Sequence, residues 1–198
     1  MTGVDDDLSY ACACETLSGW IEKAGPQQGD HIVCYCSDCQ EFARLLGAED
    51  RVLDDAGGTA LYQSRCARVK IEQGRERLAC FHLTEKSTLR WYAACCNTPM
   101  FNTYANGRIP YVTTVLANCD FHRRAALLQP PIGHLNLQDA TGMTDGLIPM
   151  SMAKLMQRFF WRMLKDIVSR RRRRSALFNP DTLEPISVPQ RVSAHISA

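Results

Sequence analysis

The sequence predicts a mainly β fold with clustered cysteines suited to metal, followed by one long amphipathic helix. Three observations predict it. Short runs rich in β-branched and aromatic residues recur between residues 67 and 116, separated by turn residues. Seven of the ten cysteines fall into three tight groups. Beyond Ser151, Leu155, Phe159, Met163 and Ile167 recur every four residues, flanked by Met156, Phe160 and Leu164, which makes a broad helical stripe. At 198 residues the chain can bury a sizeable core. No apolar run approaches the ~20 residues of a membrane span.

In chain order, residues 1–9 carry Asp5, Asp6 and Asp7 and no apolar stretch, so no secretory signal is expected and the location is expected to be cytoplasmic. Cys12-Ala13-Cys14 is the first cysteine pair. Cys34-Tyr35-Cys36-Ser37-Asp38-Cys39 follows, a C-x-C-x-x-C run that points thiolates at one spot. Ser37 and Gln40 have capping-box spacing and Gly47 is a C-terminal stop, so residues 40–46 are expected to form about two turns of helix. Cys36 and Cys39 then sit at its N-terminal end, where unpaired amides and the helix dipole favour thiolate.

Residues 67–72 alternate, with Val69 and Ile71 on one face; Gln73-Gly74 breaks the run and residues 78–83 resume it, which predicts a hairpin. Residues 88–93, with Arg90-Trp91-Tyr92, and residues 109–116 are expected to be further strands, the aromatics serving the core. Cys95-Cys96 lies between them. Residues 127–144, with Pro130, Pro131 and Gly133, are expected to be loop. Residues 151–170 are the long helix, and residues 180–198 an extended surface tail. The expected division is a zinc-binding β domain over residues 1–145 and a C-terminal helix, basic end and tail over residues 146–198.

Ten cysteines suit a disulfide framework only in an oxidising compartment, and a framework would spread them along the chain. The grouping favours a soft divalent ion, with redox thiols or buried cysteines as the alternatives. Zinc takes sulfur ligands, in closed structural sites of four or open sites of three protein ligands. One or two zinc ions are expected. Cys66, Cys80 and Cys119 stand alone in strand-like surroundings and are read as small buried hydrophobes. His31, His82, His122, His134 and His195 are scattered; His31 is near enough in sequence to reach a metal at Cys34, although a hydrogen-bonded histidine is the default.

These cysteine motifs resemble the glutathione-dependent formaldehyde-activating enzymes, a family that includes centromere protein V. The matching segments are Cys12-Ala13-Cys14, the Cys34 to Cys39 run, and Ala93-Ala94-Cys95-Cys96-Asn97-Thr98-Pro99-Met100. The resemblance implies a β-tent fold, with a structural zinc held by the first and last motifs (Cys12, Cys14, Cys95, Cys96). It implies a second, catalytic zinc held by Cys34, Cys36 and Cys39, where glutathione sulfur binds. The implied activity is of carbon–sulfur lyase type: the making of S-hydroxymethylglutathione from glutathione and formaldehyde. Four positions depart from the family pattern. Tyr35 replaces His, Glu15 and Asn97 each replace Gly, and Ala93 replaces the first Cys of the last motif, which leaves the structural site either with Cys95 as the substitute ligand or with three sulfurs.

Three thiolates on a +2 ion leave a poor Lewis acid, so capture of an exogenous thiol is the easier chemistry to defend at this triad. A nearby acid would then protonate the alkoxide formed from an aldehyde. Asp38, Glu41 and Tyr35 are adjacent in sequence, the two carboxylates also suiting a helix N-terminus.

Net charge is +2 but unevenly spread. Residues 151–174 hold nine Lys or Arg and one acid, Asp166, a local +8 that leaves −6 elsewhere. Arg170, Arg171, Arg172, Arg173 and Arg174 form a solvated helix end, a polyanion contact or an anchor to anionic lipid. The alternative to an enzyme is therefore a non-catalytic, zinc-stabilised binding module whose basic helix meets a polyanion or a protein partner.

Overall fold

The computed structural model describes residues 6–191, so His195 and the last part of the expected tail lie outside the described residues. The chain opens with β1 (Leu8–Ala11), β2 (Ser18–Ile21) and β3 (Asp30–Cys34), then the helices α1 (Ser37–Leu45) and α2 (Glu49–Val52). Six strands follow: β4 (Thr59–Arg65), β5 (Val69–Gln73), β6 (Leu78–His82), β7 (Thr88–Ala93), β8 (Thr98–Tyr104) and β9 (Tyr111–Val115). Helix α3 (Phe121–Leu127), the short β10 (His134–Leu135), the long α4 (Met152–Val168) and β11 (Gln190–Arg191) complete the order. The fold is mainly β, as the sequence predicts.

Two sheets result. A small antiparallel sheet has the order β1-β2-β5, and a large one has the order β10-β3-β4-β9-β8-β7-β6-β11. Its interior pairings are antiparallel, and its edge strands β10 and β11 add in parallel to β3 and β6.

This topology overturns the hairpin expected across Gly74. β5 pairs with β2 in the small sheet, and β6 pairs with β7 in the large one. Gly74 adopts φ +73°, and a Cβ there would strike the Thr16 carbonyl oxygen. The short 3₁₀ turn Arg75–Arg77 then carries the chain to the other sheet. Here Gly74 is a corner, which local alternation cannot distinguish from a hairpin turn.

The main core fills the space between the sheets, with Leu8, Ile21, Val69, Leu89, Trp91, Met100, Phe101 and Phe178. Trp91 is buried as expected of residues 88–93, and its indole N–H donates to Thr103 Oγ1 at 2.8 Å. Cys66 and Cys80 are 1 % exposed and Cys119 8 %, and burial pushes the Cys80 and Cys119 thiols up to about 12. They are the small buried hydrophobes expected of them.

The long helix lies within two residues of its expected span, with Ser151 accepting from the Lys154 amide as its cap. Leu155 and Phe159 are buried; Met163 and Ile167 are half-buried. Two ion-pair groups clamp it to the large sheet. Arg158 Nη2 and Arg162 Nη1 reach the buried Asp30 carboxylate at 3.0 and 2.6 Å, and Asp166 Oδ1 faces Arg65 Nε at 3.3 Å. No described helix is long and apolar enough to cross a membrane. Within the expected surface tail Leu183 is buried, close after the buried Leu177 and Phe178, and β11 then runs along β6.

Candidate metal centres

Two cysteine groups come together, one of four and one of three, each with its sulfur atoms within 4.8 Å of one another. The group of four is Cys12, Cys14, Cys95 and Cys96. It ties the chain leaving β1 in the small sheet to the β7–β8 hairpin of the large one. Cys12 to Cys14 is 3.6 Å, Cys14 to Cys95 3.4 Å, and Cys12 to Cys95 and Cys95 to Cys96 both 3.8 Å. Four sulfurs at 2.3 Å around a tetrahedral ion have edges of about 3.8 Å. A disulfide would need about 2.05 Å, and all ten cysteines are free. The donor set therefore fits zinc.

Adjacent cysteines can share one centre because the turn beyond them bends sharply. Asn97 sits at φ 51°, the left-handed region that Asn tolerates, and the Cys96 amide donates to the Ala93 carbonyl. Thr98, fully buried, links the two motifs. Its Oγ1 accepts from the Ala13 amide at 3.0 Å and lies 3.1 Å from Cys96 Sγ. Hydrogen bonds with Thr16 pull the exposed Cys14 thiol down to about 6.

Glu15 is also left-handed, at φ 60°. A side chain there costs about 1 kcal/mol or more relative to glycine. Glu15→Gly is thus expected to stabilise the protein by about 1 kcal/mol, a rise of roughly 2–4 °C in melting temperature. Thermal melting with the metal content held constant checks this, and no gain or a loss would show that Glu15 adopts its φ without strain.

The group of three is Cys34, Cys36 and Cys39. Cys34 closes β3, Cys36 is the N-cap of α1, and Cys39 lies in its first turn. The helix starts three residues earlier than expected, and the capping box does not form. Gln40 instead donates through Nε2 to the Tyr35 and Asp139 carbonyls, both at 2.8 Å. Gly47, at φ 61°, ends the helix as expected.

The surroundings of this triad come from distant segments. Arg90, 5 % exposed, places Nη1 3.5 Å from Cys39 Sγ and donates to Asn102 Oδ1 at 2.9 Å. Asn102 in turn donates to Thr113 Oγ1. Asn136 Nδ2 donates to Cys34 Sγ at 3.5 Å. Sharing hydrogens with Cys34 and Cys36, and then the charge of Arg90, holds Cys39 well below the usual thiol range, while hydrogen bonds with Cys36 and Cys39, and burial, push Cys34 up. Burial disfavours the Arg90 charge, and the Cys39 sulfur together with Cys36 and Asp38 more than restores it.

Several expectations about this site change. Residues 134–135 within the expected loop form β10 against β3, which sets Asn136 beside Cys34. His31 keeps its default role as a hydrogen-bonded histidine: it bonds the Gln129 carbonyl through Nδ1 at 2.8 Å and is not in the cysteine group. Tyr35 does not face the sulfurs with its hydroxyl, which donates to Asp54 Oδ2 at 3.0 Å. Asp38 pairs with Lys86 at 2.8 Å and Arg90 at 3.8 Å, and Glu41 with Arg44 at 3.6 Å. Arg90 was legible only as part of a strand, and Asn136 only as loop. No local signal marks either as a neighbour of cysteines more than 50 residues away.

Comparisons with known proteins add a family and a distant structural likeness. DUF6151, a family of unknown function, matches residues 5–181. A crystal structure of a Rhodobacter sphaeroides protein is similar over 61 % of this chain and 97 % of its own, with 14 % identity and a TM-score of 0.38. Curated proteins gave no match.

Proposed function

This chain belongs to DUF6151, a family of unknown function, and from that premise we propose that it is a two-centre zinc protein whose three-cysteine site takes up an exogenous thiol. The observation that carries the reading is the unequal pair of groups, one with four sulfurs and one with three. Four protein ligands close a site, and three leave a position for a ligand. On this reading Cys12, Cys14, Cys95 and Cys96 hold a structural ion, and Cys34, Cys36 and Cys39 the reactive one. Cys95, which could have closed the triad, lies instead with Cys12 and Cys14.

When bound at the triad, zinc would keep an incoming thiol ionised at neutral pH. The chain's own part is electrostatic. Three thiolates and a +2 ion leave a net −1, which would repel a thiolate. The buried Arg90 cation offsets that charge, and Asn136 and Arg90 hold two of the three sulfurs in place. The substrate class that fits the family resemblance is a thiol adduct such as S-hydroxymethylglutathione. In its formation the glutathione sulfur bonds to the formaldehyde carbon, and the carbonyl oxygen gains the proton the thiol gave up. A β-tent fold over residues 1–145, with residues 146–198 as an appendage, belongs to the same proposal, as does a reducing, cytoplasmic setting that keeps the thiols free.

Elemental analysis should find between one and two zinc ions per chain. Glutathione added to cobalt-substituted protein should shift the sulfur charge-transfer band, and formaldehyde should then be consumed faster than by glutathione alone. Arg90→Met should weaken thiol binding about tenfold, because the negative triad loses its counter-charge. A band that glutathione leaves unchanged would remove the open site and favour the second reading. That reading is a zinc-stabilised binding module, supported by the exposure of Arg170, Arg171, Arg173 and Arg174.

A further inference from the structure

Helix α4 is apolar over more of its circumference than the sheet covers. Phe160 is 47 % exposed, Trp161 71 %, Leu164 36 % and Val168 75 %. At 3.6 residues per turn these four fall within an arc of about 100°, which Gln157 alone interrupts with a polar side chain. The arc is not a loosely packed version of the buried face. Asp30 grips Arg158 and Arg162, and Arg65 grips Asp166, so the helix cannot roll to hide it.

One border is cationic. Lys154 and Lys165 lie on that flank, and the helix runs directly into Arg170, Arg171, Arg172, Arg173 and Arg174, of which Arg172 donates to the Arg108 carbonyl and Arg173 to the Pro180 carbonyl. The one acid of residues 151–174, Asp166, is buried against Arg65. A second copy laid against this face would bring two sets of cations together with no exposed acid of the helix between them. An anionic partner is what the charge selects, and a stripe ending in Trp and Phe beside Lys and Arg is the composition of a helix lying in a lipid headgroup region.

We propose that this face of α4 docks on an anionic phospholipid surface. Phe160, Trp161, Leu164 and Val168 enter the boundary between headgroups and acyl chains, while Lys165 and the exposed Arg170 and Arg171 meet the lipid phosphates. The helix has 17 residues, about 25 Å at 1.5 Å per residue, and lies on the surface rather than crossing it. The proposal is independent of what the cysteine centres do.

The test is flotation of the full chain with vesicles of phosphatidylcholine alone or with about one-third phosphatidylserine. Binding should be at least about tenfold stronger to the anionic vesicles and should fall as salt is raised. Trp161→Ser with Val168→Ser should abolish it without lowering the melting temperature, since both side chains are exposed. Arg170→Gln with Arg171→Gln should weaken it and flatten its salt dependence. Protein left in the lipid-free fraction at both compositions overturns the proposal. So does a dimer, seen by light scattering, that the Trp161 and Val168 substitutions dissolve, because the occupant would then be a second copy.

Discussion

Cys12→Ser is expected to lower the melting temperature by about 10–20 °C, and Cys36→Ser by much less. Cys12 is 2 % exposed and holds one corner of the four-sulfur group that joins the two sheets. Structural zinc contributes of order 10 kcal/mol to the folding of small domains that have little else. This chain has a large core of its own, so a loss of about 5 kcal/mol is the scale to expect, at roughly 2–4 °C per kcal/mol. A chelator should act on the wild type as Cys12→Ser does, and should change the variant's melting little. Cys36, the half-buried member of the triad, should show its loss in thiol binding. Cys36→Ser melting the protein while Cys12→Ser leaves it intact would reverse the two roles.

The second large effect concerns no metal. Asp166→Ala is expected to cost about 3–5 kcal/mol, because it strands the Arg65 cation with its partner gone. The two side chains are 3 % and 6 % exposed. Burial pushes the Asp166 carboxyl up and the Arg65 guanidinium down, so each charge depends on the other. Arg65→Met added to Asp166→Ala should return much of the loss, since an apolar pair carries no uncompensated charge. Urea denaturation of the two variants measures this. A double variant no more stable than the single one would show that packing of α4, not the charge, is what Asp166 supports.

Much of the candidate chemistry was legible because its determinants are local. The C-x-C and C-x-x-C spacings bring sulfurs together through backbone within a few residues, so Cys12 with Cys14, and Cys36 with Cys39, follow from sequence order alone. Asn97 at φ 51° and Gly47 at φ 61° were legible for the same reason. The helix from Met152 to Val168 was legible from its period. What escaped is non-local. Strands β1, β2, β3, β4 and β8 are short, or lack a clean alternation because both of their faces are covered; β4, for example, is buried at six of its seven positions. The contact of Arg90 with Cys39 spans 51 residues and depends on which strands neighbour each other across the large sheet. Helical period marks a wide apolar stripe on α4, but only the sheet's actual extent shows that Trp161 and Val168 fall outside it.

The four-sulfur group also has a kinetic side. Cys12 and Cys95 are separated by 83 positions in the chain. Bringing such ends together costs about 4 kcal/mol of loop-closure entropy, charged before any long-range sheet contact repays it. Each end brings its own pair of thiols, so an ion caught by one pair in the unfolded chain waits for the other. Refolding in the presence of zinc would then be an encounter between one loaded end and one empty end, and its rate should depend on how much zinc is present. A slight excess of chain over ion favours one ion bridging both ends. A large excess of ion loads the two ends separately, so that closing the ring first requires one ion to leave.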